Sequence, residues 1–469
     1  MLFSSVTFLY YFLPVTLAVY FLTPMPGGKT RWRNLVLLLA SLVFYAWGEP
    51  VYCLLMMAEV LVAWVLSLLM DRYRERIAWR RVFLIASLVV GLGVLAYFKY
   101  ADFFISSFDA AFGVHVPLLR IALPIGISFY TFQMLSYAID LYRGKIEVQR
   151  NPLDFACYVI MFPQLVAGPI VRYAEVAAAL VTRRHTLVGF AEGGRRFVVG
   201  LAKKVLVANV MAELVEVIRA SGDTSFLAAW LYVVAFALQI YFDFSGYSDM
   251  AIGLGTVLGF RFPENFNYPY VAASITAFWR RWHMSLSSWF RDYVYIPLGG
   301  NRVSVPRHLL NIAIVWGLTG FWHGAGWQFI AWGLWFAVVL AVEKYAFGGV
   351  LQRLPRGMGN VYTLVIVAIS WVLFDSGGFA DAGTTLAAMA GFGASSVVGP
   401  ESVYYLRSYA VPLLVGIIGA TPLPKKVMGW VAKKKVYTVV EPVLVALGLL
   451  VVTACLVDGS FNPFIYFRF

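Results

Sequence analysis

From Leu309 to Val342 the chain runs 34 residues without an Asp, Glu, Lys or Arg, and near the middle stands a histidine, His323. As one straight helix this run would extend about 51 Å, against a bilayer hydrocarbon core of about 30 Å. It must therefore tilt, break or turn back, and Gly317, Gly320, Gly324 and Gly326 mark where. On any of these paths His323 stays well inside the membrane region, 16 residues from Arg307 and 20 from Glu343. An ionisable side chain at that depth is costly to keep, which makes it a candidate for function. The alternative is a neutral imidazole hydrogen-bonded between helices.

The rest of the chain has the same character. Of its 469 residues 61% are hydrophobic and 13% charged, where a soluble domain carries about 25% charged residues. Apolar runs of roughly 16 to 25 residues recur from end to end, joined by short polar segments, so the expectation is one polytopic all-α membrane domain over residues 1–469. The runs are continuous and not alternating, which disfavours a β-barrel. The formal charge of +13 comes from 37 Lys and Arg that sit in the joints, as the positive-inside bias requires. No basic domain stands apart from the apolar runs, so nucleic acid is not an expected partner. Cys53, Cys157 and Cys455 are far apart with no CxxC pairing, and read as small buried hydrophobes; no metal site is expected.

Charge counting gives a topology. Lys29, Arg31 and Arg33 follow the first span and Arg72, Arg74, Arg76, Arg80 and Arg81 the third, whereas the joint at Glu49 and Pro50 is bare of positive charge. Alternation puts the N-terminus outside and the basic joints in the cytoplasm. Without a Lys or Arg before Lys29, the first apolar run reads as a retained span and not a cleaved signal. Leu123 to Leu141 carries a polar stripe of Ser128, Gln133, Ser136 and Asp140, and Phe155 to Val171 is broken by Pro163, Gly168 and Pro169. The latter is either a kinked span or a re-entrant segment beside an internal site. Arg183, Arg184, Arg195, Arg196, Lys203 and Lys204 punctuate the next apolar stretch, which suits amphipathic helices on anionic lipid or beside a polyanionic cytosolic ligand. Lys425, Lys426 and Lys433 to Lys435 precede the last run, which would bring the tail at 458–469 out on the far side.

The stretch 241–327 concentrates the chemistry. In FWRRWHMSLSSWFRDY, Phe278, Trp282, Leu286, Trp289 and Tyr293 share one helical face, and Arg280, Arg281 and Arg291 lie on another. This predicts an interfacial helix with its tryptophans at headgroup level. His283 lies on its flank, as either a structural or a catalytic group. In YFDFSGYSDMAIG, Asp243 and Asp249 stand in apolar sequence, and a clamp to the Arg280 or Arg281 region is the preferred role. No GxSxG, Walker or HExxH pattern is present.

The segments LPIGISFYTFQ, FPQLVAGPI, YFDFSGYSDMAIGLG, ENFNYPY, ITAFWRRWHMSLSSWFRDYVYIPLGGNR and GFWHGAGW closely resemble the membrane-bound O-acyltransferases, above all the bacterial branch that O-acetylates extracellular polysaccharide such as alginate. The resemblance runs over about residues 1–344 and resumes at the tail. It implies a ring of about ten to twelve tilted transmembrane helices with re-entrant and interfacial pieces, in a bacterial cytoplasmic membrane. It implies that His323 is catalytic and His283 supports it, and that acetyl-CoA is the donor substrate, with no permanently bound cofactor. The arginines Arg280, Arg281 and Arg291 would then bind that donor. The tail FIYFRF resembles an FIYxxF motif, which implies that Tyr466 carries the acyl group as a transient ester; an aromatic membrane anchor is the other reading. A phenol with a pKa near 10 needs a base to act as nucleophile. The implied partners are membrane lipid, an extracytoplasmic SGNH-hydrolase-like acyltransferase and, through it, an exopolysaccharide acceptor. Two rivals remain: a D-alanyl-transferring relative that takes its donor from a carrier protein, and a transporter or flippase whose broken helices line a permeation path.

Overall fold

The computed structural model describes residues 1–434, 437–459 and 462–463; Tyr466 lies outside the described residues. Those described are helical, with no strand among them. Among the described residues six helices are long and apolar enough to cross a membrane, and a seventh span arises if the pair Pro400–Ser408 and Ala410–Gly419, bent by 62°, counts as one. The protein is an all-α, multi-pass membrane protein. The chain divides into two compact units, residues 1–197 with 248–263 and residues 198–247 with 264–469.

In the first unit, α1 (Pro50–Arg72) packs on α2 (Ile77–Phe112), and α2 on α3 (Ile127–Tyr142). The polar stripe of α3 is buried with the rest of the helix. Nearby, Tyr130 donates a hydrogen bond of 3.0 Å to the buried carboxylate of Glu59. The segment after α3 is not a kinked span. It is helical at Pro152–Ile160, makes one further turn at Phe162–Leu165, and runs non-helical until Tyr173–Val181. Everything from 154 to 171 is buried, which is the condition for irregular backbone at such depth. A Cβ on Gly168 would stand 2.6 Å from the Gln164 Cα, so the fold closes tightly there.

The long helix α4 (Phe226–Val257) contributes residues to both units. Its two aspartates are clamped, though not by Arg280 or Arg281. Asp249 pairs with Arg196 at 2.8 Å within the first unit, and Asp243 pairs with Lys204 at 2.7 Å within the second. Lys204 and Asp243 are each almost fully buried, so each charge is kept at that depth by the other, and nearness in sequence does not decide the partner.

In the second unit the expected interfacial helix is split into α5 (Ile275–Trp279) and α6 (Met284–Phe290), followed by a wider turn at Arg291–Tyr295. Phe278, Trp282, Leu286, Trp289 and Tyr293 do face inward, but all five are buried in the protein core and not held at a headgroup layer. Trp282 stacks on Phe278 and lies 5.0 Å from Trp371. The same periodicity serves a lipid-facing and a core-facing stripe, and here protein covers it.

The charge-free run turns back on itself. It forms α7 (Val305–His323), a break at residues 324–326, and α8 (Trp327–Val342). The two helices touch backbone to backbone through glycines. A Cβ on Gly320 would lie 2.2 Å from the Phe329 carbonyl oxygen, and one on Gly333 would lie 2.1 Å from that of Trp316. Tight antiparallel packing of this kind needs residues without side chains. Beyond α8 follow α9 (Arg356–Asp375), the bent pair, and a last helix at Tyr437–Asp458.

Candidate active site

The break between α5 and α6 is built by the ENFN segment. Asn267 N–H donates to the Arg281 carbonyl at 2.9 Å, and Met284 N–H donates to the Asn265 carbonyl at 3.0 Å. These bonds hold His283 between two short helices in the left-handed region, φ 44° and ψ 54°. That conformation costs a residue with a Cβ about 1–2 kcal/mol, and it occurs where surrounding structure fixes it. His283 is 1% exposed. Its Nδ1 lies 3.1 Å from the Asn265 Oδ1, while its Nε2 is buried without a protein partner among the described residues. Burial, reinforced by neighbouring His323, holds this imidazole well below its ordinary pKa of 6.5, so the ring is a neutral base.

His283 forms part of the wall of a cavity of about 1030 Å³. Its other walls are apolar at Trp279, Ile312, Trp316 and Leu340, while Arg280, Arg291, Lys344 and several serine hydroxyls give it a polar, cationic side. Glu343 also faces it, but its carboxylate is spent on the start of α5, accepting from Ile275 N–H at 2.6 Å and from the Thr276 N–H and hydroxyl. That arrangement suits a helix N-terminus and ties the end of α8 to α5. It leaves the cations to set the sign of the site.

His323, at the C-terminus of α7, is 7% exposed. Its ring lies 6.4 Å from that of His283, centroid to centroid, and 5.1 Å and 5.5 Å from Trp332 and Phe374. The two histidines are thus brought together from segments 40 residues apart, His323 − His283 in the numbering. Phe244, one residue beyond Asp243, meets the His283 ring at 4.6 Å. The last described residues meet the helical segment 203–221: Lys204, the partner of Asp243, also donates to the Pro463 carbonyl, and Asn209 donates to Asn462 at 3.2 Å.

Of the three arginines singled out in the sequence, Arg280 and Arg291 line the cavity and Arg281 does not. Arg281 turns to the Asn267 carbonyl at 3.2 Å, and Arg291 also pairs with Asp292 at 2.7 Å. Asn265 and Lys344 were not singled out, and Lys204 was named only as one of a basic run. Asn265 sits within the quoted ENFNYPY motif without a charge or periodicity to flag it. A second histidine, His308, also lines the cavity, bonded to Tyr295 at 2.7 Å and to Tyr345 at 2.6 Å.

The model of the membrane-bound O-acyltransferase family matches residues 148–375. The chain is 44% identical over 397 residues to a probable alginate O-acetylase, AlgI, of Azotobacter vinelandii, covering 84% of this chain and 79% of the relative. It is 34% identical over 429 residues to a peptidoglycan O-acetyltransferase of Helicobacter pylori, covering 85% and 81%. A teichoic acid D-alanyltransferase of Bacillus subtilis is 28% identical over 275 residues, or 53% of this chain and 67% of that one. With a buried histidine pair, one member of which lines a large cavity, inside a multi-pass helical protein, and with these relatives, the chain belongs to the membrane-bound O-acyltransferase family and is an O-acyltransferase.

Proposed function

We propose that this protein transfers an acetyl group from cytosolic acetyl-CoA, through the membrane, toward the hydroxyls of an extracellular polysaccharide. The likeness to an alginate O-acetylase and a peptidoglycan O-acetyltransferase supports a polysaccharide acceptor. The observation that carries the chemistry is the His283 imidazole, neutral, buried and with an unpartnered Nε2, in the wall of the cavity and 6.4 Å from His323. The cavity volume suits a nucleotide-sized thioester, and Arg280, Arg291 and Lys344 offer charge to its phosphates.

In this reading the acceptor hydroxyl gives its proton to an imidazole nitrogen of the pair as its oxygen attacks the thioester carbonyl. The carbon–sulfur bond breaks and the departing thiolate takes the proton back, leaving an oxygen ester and a free thiol. His323 is the catalytic residue and His283 its support. The first acceptor is the phenol of Tyr466, three residues beyond Pro463 in the chain, and the far-side acyltransferase takes the ester from there. The anchoring of Asn462 and Pro463 on Asn209 and Lys204 supports that order, because Lys204 also pairs with Asp243, next in the chain to Phe244, whose ring meets His283. The basic joints support a cytosolic donor side and an extracytoplasmic tail.

Replacing His323 with Ala tests the reading. Polymer O-acetylation in cells should fall to background while the protein remains in the membrane; acetylation at the wild-type level overturns it. Intact-mass measurement after incubation with acetyl-CoA should show one added acetyl group on the wild type and none on Tyr466→Phe.

A further inference from the structure

The hydrogen bonds around Asn265 decide which nitrogen of His283 carries the proton. The Ser285 backbone N–H lies 3.2 Å from the Asn265 Oδ1 and can only donate. It therefore fixes the amide with its oxygen, and not its nitrogen, on that side. The Ser285 hydroxyl, at 2.9 Å, donates to the same oxygen. The His283 Nδ1 approaches this oxygen at 3.1 Å and must be a donor too. A neutral ring with its proton on Nδ1 has its lone pair on Nε2. That nitrogen is buried without a partner among the described residues, in a residue that lines the cavity. The backbone makes the pairing rigid: the Asn265 carbonyl accepts from Met284 N–H at 3.0 Å, so both oxygens of one asparagine hold the residues that follow His283.

We propose that Asn265 is a positioning residue for acyl transfer, which locks His283 in the Nδ1–H tautomer so that Nε2 always presents its lone pair to the cavity. The other rings that meet it among the described residues do not do this. Phe244 and Trp322 offer ring edges and faces, and His323 lies at centroid distance 6.4 Å. Without the Asn265 oxygen the ring is free to take the other tautomer, which turns an N–H toward the cavity and removes the lone pair that His283 presents there in support of His323. Where an orienting acceptor beside a catalytic imidazole is lost and the wrong tautomer forms, turnover falls by up to about 10⁴-fold; outer partners of functional histidines more commonly give about 10- to 100-fold.

The proposal rests on the reading of the cavity as the donor site, and its test separates the two. Full-length protein is labelled with ¹⁵N at histidine Nδ1 alone, and the His283 signal is assigned by its loss in His283→Gln. Solid-state NMR of the resting wild type should show a pyrrole-like, protonated Nδ1. In Asn265→Ala the signal should move toward the pyridine-like form, with kcat about 10- to 100-fold lower and the KM for acetyl-CoA within about twofold. Asn265→Asp, which keeps an acceptor oxygen in place, should retain the protonated Nδ1. A pyridine-like Nδ1 in the wild type overturns the proposal, and so does an Asn265→Ala protein whose tautomer and kcat are those of the wild type. A purely structural role for Asn265 would instead lower kcat and raise KM together without moving the tautomer. The NMR signature requires no turnover, so it stands or falls independently of the His323→Ala result.

Discussion

His283 combines three costs in one residue: a left-handed backbone, a buried imidazole and an Nε2 without a protein partner. Structure elsewhere sustains them, because ENFN is pinned alongside by backbone hydrogen bonds. A consequence is a pH-dependent stability whose sign follows from burial. The folded-state pKa is held well below 6.5, so below about pH 6.5 the unfolded chain binds a proton that the folded chain refuses. The contribution of the neutral ring is complete above that pH and is lost as pH falls, by about 1.4 kcal/mol per pH unit until the folded pKa is reached. Thermal unfolding in detergent between about pH 7.5 and 5.5 should therefore cost the wild type more stability than it costs His283→Gln, which cannot take up the proton. Parallel losses in the two proteins would mean that the ring is not held neutral. The place of His283 among arginines and tryptophans left a structural and a catalytic role equally open, and only the family resemblance implied that it supports His323. Its tautomer was not legible, because that depends on a side chain 18 residues upstream.

At the scale of elements, the hairpin of α7 and α8 carries His323 at its tip, and glycines determine how closely its helices approach. Gly320 leaves no room for a methyl group, whereas the nearest neighbour of a Cβ on Gly317 is a leucine methyl at 3.9 Å, an ordinary contact. Gly320→Ala should destabilise the protein by about 1–3 kcal/mol through overpacking and lower acetylation by displacing His323. Gly317→Ala should leave both unchanged or gain slightly from helix propensity. A tolerated Gly320→Ala would mean that the helices separate easily. That the run is no straight upright helix was legible, since 34 residues without charge exceed one bilayer crossing, but tilt, break and return were all open, four glycines were equal candidates, and the break falls at residues 324–326. The segment 275–295 was legible only in part. Its inward stripe is real, but sequence periodicity records an apolar neighbour without saying whether that neighbour is lipid or protein. The break at residues 280–283 comes from bonds to ENFN that no local pattern announces.

At the scale of the molecule, apolar runs and basic joints were sufficient for the all-α polytopic class, while the partners of buried charges were not readable, because they join residues far apart in the chain. Lys204 and Asp243 show this best. Each is almost fully buried, and the lysine also serves the Pro463 carbonyl, 259 residues away. Removing one member of such a pair strands a buried charge and costs about 3–5 kcal/mol, whereas replacing both by apolar residues is often close to neutral. Lys204→Met and Asp243→Leu should each lower the unfolding temperature, and the double variant should recover most of the loss. Acetylation should behave differently. The double variant restores electrostatic balance but supplies no donor to the Pro463 carbonyl, so polymer O-acetylation should remain depressed while stability returns. If acetylation returns in step with stability, the pair serves only to hold the helices together, and the stem of the tail needs no anchor at Lys204.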